Sequence, residues 1–194
     1  MPNLYIIAGC NGAGKTTASY KILPKIFDCK EFVNADSIAA GLSPLNAENV
    51  AIEAGRIMLH RINQLMEEKV DFAFETTLST RSYVSLVKKA QESGYQITLL
   101  YFWLPSPQMA IERVAKRVSQ GGHNIPEEVV IRRYYRGLQN LMNLYINICN
   151  VWMVINNVNA FPDMVAEGGL EVDTIIENTD IWDVILIQSR EYGK

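Results

Sequence analysis

A three-layer α/β architecture, with helices on both faces of a central, mainly parallel five-stranded sheet, is the fold class this sequence predicts. Three observations predict it. Apolar runs of strand length alternate with helical patterns along the chain, as in a parallel sheet joined by crossover helices. Several of those runs are apolar at consecutive rather than alternate positions, which belongs to strands buried on both faces. The first run leads directly into a glycine-rich loop and then a helix, the arrangement by which open α/β sheets hold phosphate.

The elements follow in order. Residues 3–9 form the first strand, too apolar for a half-exposed one. A helix covers 14–23, and Pro24 is expected to stop it. The second strand is 31–36, ending at Asp36. Asn46 is placed to cap a long helix to about residue 69, with Val50, Ala54, Ile57, Ile62 and Leu65 near helical spacing. Residues 71–77 form the third strand and 80–93 a helix, with Gly94 as its left-handed stop. The fourth strand is 95–104. Pro107 opens the next helix at a favoured position, and Gly121-Gly122 ends it. Pro126 opens a long helix to about 150, followed by a fifth strand at 151–156. The remainder mixes a short strand or hairpin near Gly168-Gly169 with an amphipathic helix over about 180–190.

Length and composition set bounds. The 194 residues match one domain, with a core over about 3–157 and an appendage of the same domain over 158–194. At 48% apolar residues the chain can bury a full core. A net charge of −3 and a pI of about 5.5 argue against general polyanion binding. Three scattered cysteines, Cys10, Cys29 and Cys149, make no disulfide framework and suit a reducing compartment. Neither a signal peptide nor an apolar stretch long enough to span a bilayer is legible, so a soluble, cytoplasmic protein without membrane contact is expected.

Gly9-Cys-Asn-Gly-Ala-Gly14-Lys15-Thr16 matches the phosphate-binding loop GxxxxGK[ST], in the strand–loop–helix context that makes the motif specific. Glycines allow the tight turn and bring backbone N–H groups to the phosphates. The helix N-terminus adds partial positive charge. The nucleotide contacts expected are Gly9, Asn11, Gly12, Ala13, Gly14, Lys15, Thr16 and Thr17, with Lys15 on the β- and γ-phosphates of ATP and the Thr16 hydroxyl on Mg²⁺. Cys10 reads as a small residue that fits the loop.

The motif alone leaves several classes open. A GTPase would carry an NKxD element, which Asn156-Asn157-Val158 does not supply. An ABC-type ATPase would follow a signature loop with an Asp-Glu strand end; Ser119-Gln120-Gly121-Gly122 lacks that context. A small kinase with a helical lid fits best. It needs a base for the acceptor hydroxyl and cations for the moving phosphoryl group. Asp36, at the end of the second strand, is the candidate base. Glu75, after Phe72-Ala73-Phe74, is a candidate for the Mg²⁺ shell or the acceptor, because a carboxylate there needs a partner. Thr76 and Thr77 offer hydroxyl contacts to the acceptor, and His123 is a further candidate. Between Arg113 and Arg136 lie six Lys or Arg against two Glu. Arg113 and Arg117 share one helix face, and Arg132 and Arg133 sit on the next helix. Arg113, Arg117 and Arg132 are expected on the nucleotide, with Arg117 and Arg133 stabilising the transferred group. Seven acids and no Lys or Arg lie between Asn156 and Ser189.

The segments GCNGAGKTT, FVNADSIAAGLSP, FAFETTLST and RVAKRVSQGGHNIPEEVVIRRYYRGLQNL, in this order, resemble the zeta-toxin family of P-loop kinases over about residues 3–157. The resemblance implies a fold like that of nucleoside-monophosphate kinases, phosphorylation of UDP-N-acetylglucosamine, and an antitoxin that blocks the ATP site. It makes Lys15 and Thr16 the nucleotide and metal contacts, Asp36 the general base, Glu75 an acceptor- or metal-binding acid, and arginines of the 113–133 block the phosphate clamp. The expected activity is therefore ATP-dependent transfer of a phosphoryl group to a hydroxyl of a small molecule. Two alternatives stay open: an ATP-binding switch that acts through a protein partner, and a nucleic-acid 5′-hydroxyl kinase, which the net negative charge disfavours.

Overall fold

The computed structural model describes residues 1–122, 124–159 and 162–191. Strands β1 (Asn3–Gly9), β2 (Glu31–Val33), β3 (Phe72–Thr76), β4 (Gln96–Trp103) and β5 (Val151–Asn156) pair in parallel in the order β2-β3-β1-β4-β5. This is the expected five-stranded parallel sheet. Two further strands, β6 (Asp163–Gly168) and β7 (Ile175–Ile176), extend it antiparallel to seven strands. They are the strand or hairpin expected near Gly168-Gly169. Within β6 the buried residues are Val165, Ala166 and Gly168, too short an apolar signal to announce a sheet strand.

Helices α1 (Lys15–Ile26), α2 (Ala35–Leu42), α3 (Ala51–Glu68), α4 (Tyr83–Glu92), α5 (Pro107–Ser119), α6 (Glu127–Asn140) and α7 (Thr179–Glu191) cover the sheet. The core is built on fully buried Leu4, Ile6, Phe72, Phe74 and Phe102 of the central strands, met by Met58, Ile62 and Leu65 of α3. Burying side chains of this size contributes roughly 1.5–3 kcal/mol each, which explains why the central strands are apolar on both faces. α7 packs against α6, and Trp182 stacks on Trp152 of β5 at 5.9 Å between ring centroids.

Several boundaries differ from expectation, each for a physical reason. Pro24 does not end α1, which continues to Ile26. Pro forfeits one helical hydrogen bond, but buried Leu23 and Phe27, stacked on Tyr5 at 4.5 Å, hold the last turn against the sheet. The second strand stops at Val33 rather than Asp36. Asn34 accepts a hydrogen bond from Ser37 N at 3.0 Å and starts α2, so Asp36 stands in the first helical turn, where an acid is favourable. Asn46 makes no side-chain cap; a 3₁₀ turn, Ala47–Val50, precedes α3. The helix expected from 80 starts at Tyr83. α5 begins as expected at Pro107, with Ser106 Oγ accepting from Met109 N. The helix expected to run from 126 to 150 leaves α geometry after Asn140 for a π-helical turn, Leu141–Tyr145.

Candidate functional site

Register puts the site at the carboxyl edge of the sheet. β1 and β3 pair Ile7 with Glu75 and Ala8 with Thr76, so Glu75 emerges beside the loop that follows β1. That loop turns through positive φ at Gly12 (79°) and Gly14 (80°), and a Cβ on Gly12 would meet the Ala110 carbonyl oxygen at 2.8 Å. Gly9 and Ala13 complete the turn, with Ala13 N donating to the Cys10 carbonyl at 3.2 Å. The N-terminus of α1 then faces the loop interior, an arrangement ready for anions.

Lys15 folds back into the loop. Its Nζ donates to the Cys10 carbonyl oxygen at 3.0 Å and stands 3.5 Å from Glu75 Oε1. Glu75 Oε2 accepts from Thr16 Oγ1 at 2.7 Å and from Asn34 Nδ2 at 2.8 Å. With Lys15 6% and Glu75 11% exposed, this pair is nearly dry, and the added hydrogen bonds are what make a buried carboxylate tolerable. Thr17, next along α1, is exposed.

A cavity of about 210 Å³ opens over this cluster. Lys15, Glu75, Asp36, Arg133, Thr76 and Thr77 all line it. Arg133 reaches in from α6, donating to Asn11 Oδ1 at 3.3 Å. Burial pulls its guanidinium pKa down, Asp36 counters that, and neighbouring Arg132 adds to it. One polar cavity therefore gathers candidate residues from four separated segments of the chain.

The other arginines are placed differently. Arg113 turns away from the cavity. Its two terminal nitrogens donate to the Asn157 and Val158 carbonyls at 2.9 and 2.8 Å. Asn157 in turn donates to the Ala13 carbonyl at 2.6 Å, so Arg113 steadies the loop after β5 against the phosphate-binding loop. Two carbonyls 44 and 45 residues away thus occupy the guanidinium fork of Arg113. Arg117 is half-buried near the end of α5 and Arg132 is exposed; neither lines the cavity. His123 lies outside the described residues.

Sequence reasoning missed the residues that hold the β3–α4 wall of the cavity in place. The segment between β3 and α4 bends at Leu78, a buried residue at φ 58°. Such a conformation costs on the order of 1–3 kcal/mol and persists only where the surroundings dictate it. Here Leu78 N donates to Thr76 Oγ1 at 3.0 Å, and the Leu78 carbonyl accepts from buried Asn140 Nδ2 at 2.8 Å. Tyr145 OH donates to the Thr80 carbonyl at 3.2 Å. The departure from α geometry after Asn140 thus lies where α6 grips this loop. Asn140→Ala strands a buried carbonyl, and we expect a loss of about 1–3 kcal/mol, read as a lowered Tm. An unchanged Tm would remove the bond from the account. Asn34 alone had a legible signal, an Asn directly before a helical pattern.

Cys10, inside the loop, is buried, and burial pushes its thiol up to about 11, outweighing Lys15 and Arg113, which pull it down. The thiol therefore stays protonated until the pH approaches that value. Native protein at pH 8 should resist alkylation at Cys10, and unfolding should restore it; labelling followed by peptide mass mapping checks this.

Among the described residues, no group of three or more His, Cys, Asp or Glu is gathered to hold a metal ion. Thr16 Oγ1 and Glu75 Oε2, 2.7 Å apart, are both oxygen donors. They suit Mg²⁺, which takes few protein ligands and completes its shell with water and phosphate oxygens.

The zeta toxin family model matches residues 1–161. An uncharacterized protein of Haemophilus influenzae is 30% identical over 126 residues, 65% of this chain and 88% of that one. The crystal structure of AvrRxo1-ORF1:-ORF2 with ATP superposes with a TM-score of 0.77 at 18% identity, covering 100% of this chain and 66% of that chain. This chain therefore spans just under two thirds of that relative. The PezAT toxin-antitoxin system of Streptococcus pneumoniae gives a TM-score of 0.68 at 16% identity, covering 100% of this chain and 80% of that one. These two structures share the fold of the chain.

Proposed function

The chain belongs to the zeta toxin family, and from that premise we propose that it is an ATP-dependent P-loop phosphotransferase, acting as one kinase-like domain, that moves the γ-phosphoryl group of ATP to a hydroxyl of a small molecule. The observation that carries this reading is the meeting of Lys15, Arg133, Asp36 and Glu75 around one cavity of about 210 Å³ at the mouth of the phosphate-binding loop. ATP as donor is supported by the loop itself and by the related AvrRxo1 complex, which was crystallised with ATP.

In this reading the loop amides from Gly9 to Thr17 cradle the phosphates, and Lys15 leaves Cys10 and Glu75 to meet the γ-phosphate. Arg133, fixed on Asn11, faces the same group and neutralises charge as it moves. Asp36 accepts the proton of the attacking hydroxyl. Thr16 and Glu75 would hold Mg²⁺, which supplies charge neutralisation on the phosphates when bound. Thr76 and Thr77 orient the acceptor. Arg117 and Arg132 join the clamp only if α5 and α6 move inward. Accordingly, Arg133→Ala should lower transfer by about 10²–10³-fold, while Arg132→Ala should stay within about tenfold of wild type. Steady-state kinetics on both variants decide; equal losses would mean that the clamp is not centred on Arg133.

The acceptor that the family implies is a UDP-sugar such as UDP-N-acetylglucosamine. The toxin–antitoxin setting of the PezAT relative supports an antitoxin partner for this chain as well. Among the described residues no helix is long and apolar enough to cross a membrane. The test is ATP turnover with Mg²⁺, with and without UDP-sugars, free sugars, nucleosides and a 5′-hydroxyl oligonucleotide, following products by mass spectrometry. A phosphorylated product that depends on Lys15 supports the proposal. Slow hydrolysis that no acceptor stimulates would favour a switch working through a protein partner.

A further inference from the structure

α6 does more than deliver Arg133 to the cavity. Residues 133, 137 and 140 recur at helical spacing and share one face of it. Arg133 lines the cavity, whereas Gly137 and Asn140 are buried. There the same face meets the segment between β3 and α4, which supplies Thr77, Ser79 and Thr80 to the cavity.

The two elements meet at three backbone carbonyls. Asn140 Nδ2 donates to that of Leu78 at 2.8 Å, and Tyr145 OH, in the π-helical turn, to that of Thr80 at 3.2 Å. Gly137 contributes by lacking a side chain. A Cβ there would stand 2.7 Å from the Thr77 carbonyl oxygen and 3.1 Å from Tyr101 Oη. Ordinary contacts begin near 3.4 Å, so the seat would have to open by about 0.7 Å. Glycine is unfavourable inside a helix because it has the most backbone freedom to lose. At Gly137 the close approach of another backbone supplies the reason for it. Gly55 in α3 is the contrast: a Cβ there would meet nothing within 4 Å.

α6 is also held from a second face. Tyr134 OH donates to the Leu104 carbonyl at 2.7 Å and to Gln188 Oε1 at 2.9 Å, and Val130, Tyr134 and Leu138 are buried. A helix gripped on two faces shifts as a unit, so opening the seat at Gly137 is passed to Arg133, about one turn away. The bond from Arg133 to Asn11 Oδ1, at 3.3 Å, is already at the long end of the range and tolerates little of that shift.

We infer that Gly137 is a positioning residue for phosphoryl transfer: by leaving room for the Thr77 carbonyl it sets the span between Arg133 and the β3–α4 wall of the cavity. The inference rests on the kinase reading, in which Arg133 faces the moving phosphoryl group and Thr77 orients the acceptor. The acceptor oxygen bonds to the γ-phosphorus as the bond to the β–γ bridging oxygen breaks; the electron pair leaves on ADP and the proton passes to Asp36. Gly137 touches none of these atoms. It acts through the placement of the groups that do, and a misplacement of about 1 Å can cost on the order of 10²-fold.

The test uses the full chain with Mg²⁺. Transfer from ATP to UDP-N-acetylglucosamine is followed by mass spectrometry. Calorimetry gives the affinities for ATP, for ADP, and for ADP with aluminium fluoride, which mimics the moving phosphoryl group. Gly137→Ala should lower kcat, and weaken binding of the aluminium fluoride complex, by about tenfold or more, with the affinity and KM for ATP within about threefold of wild type. Gly55→Ala should leave all of these within about twofold. In an Arg133→Ala background, Gly137→Ala should cost less than about threefold further, because the cation it positions is gone. Asn140→Ala, which loosens the same seat without adding an atom, should show the same coupling to Arg133, so the outcome does not hang on one variant folding. Wild-type kcat in Gly137→Ala, or equal losses with and without Arg133, overturns the inference and leaves the kinase reading intact. If wild type forms no product from UDP-N-acetylglucosamine, the aluminium fluoride affinities decide in the same way. A wild type that forms no product and binds that complex no more tightly than ADP overturns both.

Discussion

Lys15→Ala should abolish measurable phosphoryl transfer, with kcat/KM falling by at least about 10³-fold. Two losses combine. The γ-phosphate loses the cation that would compensate its charge during transfer. Glu75, 11% exposed, loses the ammonium group 3.5 Å away and keeps only its hydrogen bonds from Thr16 and Asn34. A buried carboxylate left that way destabilises the fold, by about 1–3 kcal/mol. The double variant Lys15→Ala with Glu75→Gln separates the two. It should recover Tm, because a neutral amide needs no cation, yet remain inactive. Recovery of transfer along with Tm would mean that Lys15 matters for the fold alone.

Asp36→Ala should lower kcat by about 10²–10⁴-fold, the usual worth of a positioned base, with little change in the KM for ATP. Its effect on stability should be small. Asp36 is exposed in the first turn of α2, where its interaction with the helix dipole contributes only about 0.3–1 kcal/mol. This contrast with Lys15 is diagnostic: one variant loses activity and stability together, the other activity alone. Asp36→Asn should behave like Asp36→Ala, since the amide keeps the shape but cannot take the proton. Full activity in Asp36→Ala would falsify the base assignment and direct attention to Glu75.

The placement of Arg113 shows where reading by composition stops. A cluster of arginines on two successive helices predicts a phosphate clamp, and Arg133 does line the cavity. Arg113 instead holds the Asn157–Val158 carbonyls. The same guanidinium chemistry serves both tasks, because its fork accepts any pair of suitably spaced oxygens. Spacing along a helix determines the face on which a residue lies; it does not determine what another part of the chain brings to that face.

By itself the sequence determined the features that depend on a few consecutive residues. The phosphate-binding loop is legible because Gly9, Gly12, Gly14, Lys15 and Thr16 act within one turn. The central strands β1, β3 and β4 are legible because burial on both faces requires unbroken apolar runs. Glu75 and Thr76, at the carboxyl end of β3, and Asp36, three residues past the end of β2, were legible as candidates because polar residues at or just beyond the carboxyl ends of apolar strands fall at the binding edge of such a sheet. Only the tertiary structure decided that Glu75 joins Lys15 to Asn34, that Asn140 fixes the strained carbonyl of Leu78 from 62 residues away, and that Asn157 props the loop from 144. Each of these is a single hydrogen bond or ion pair across a long separation. Its partners leave no mark on each other's neighbours in the chain, because what brings them together is the packing of the whole sheet and its helices.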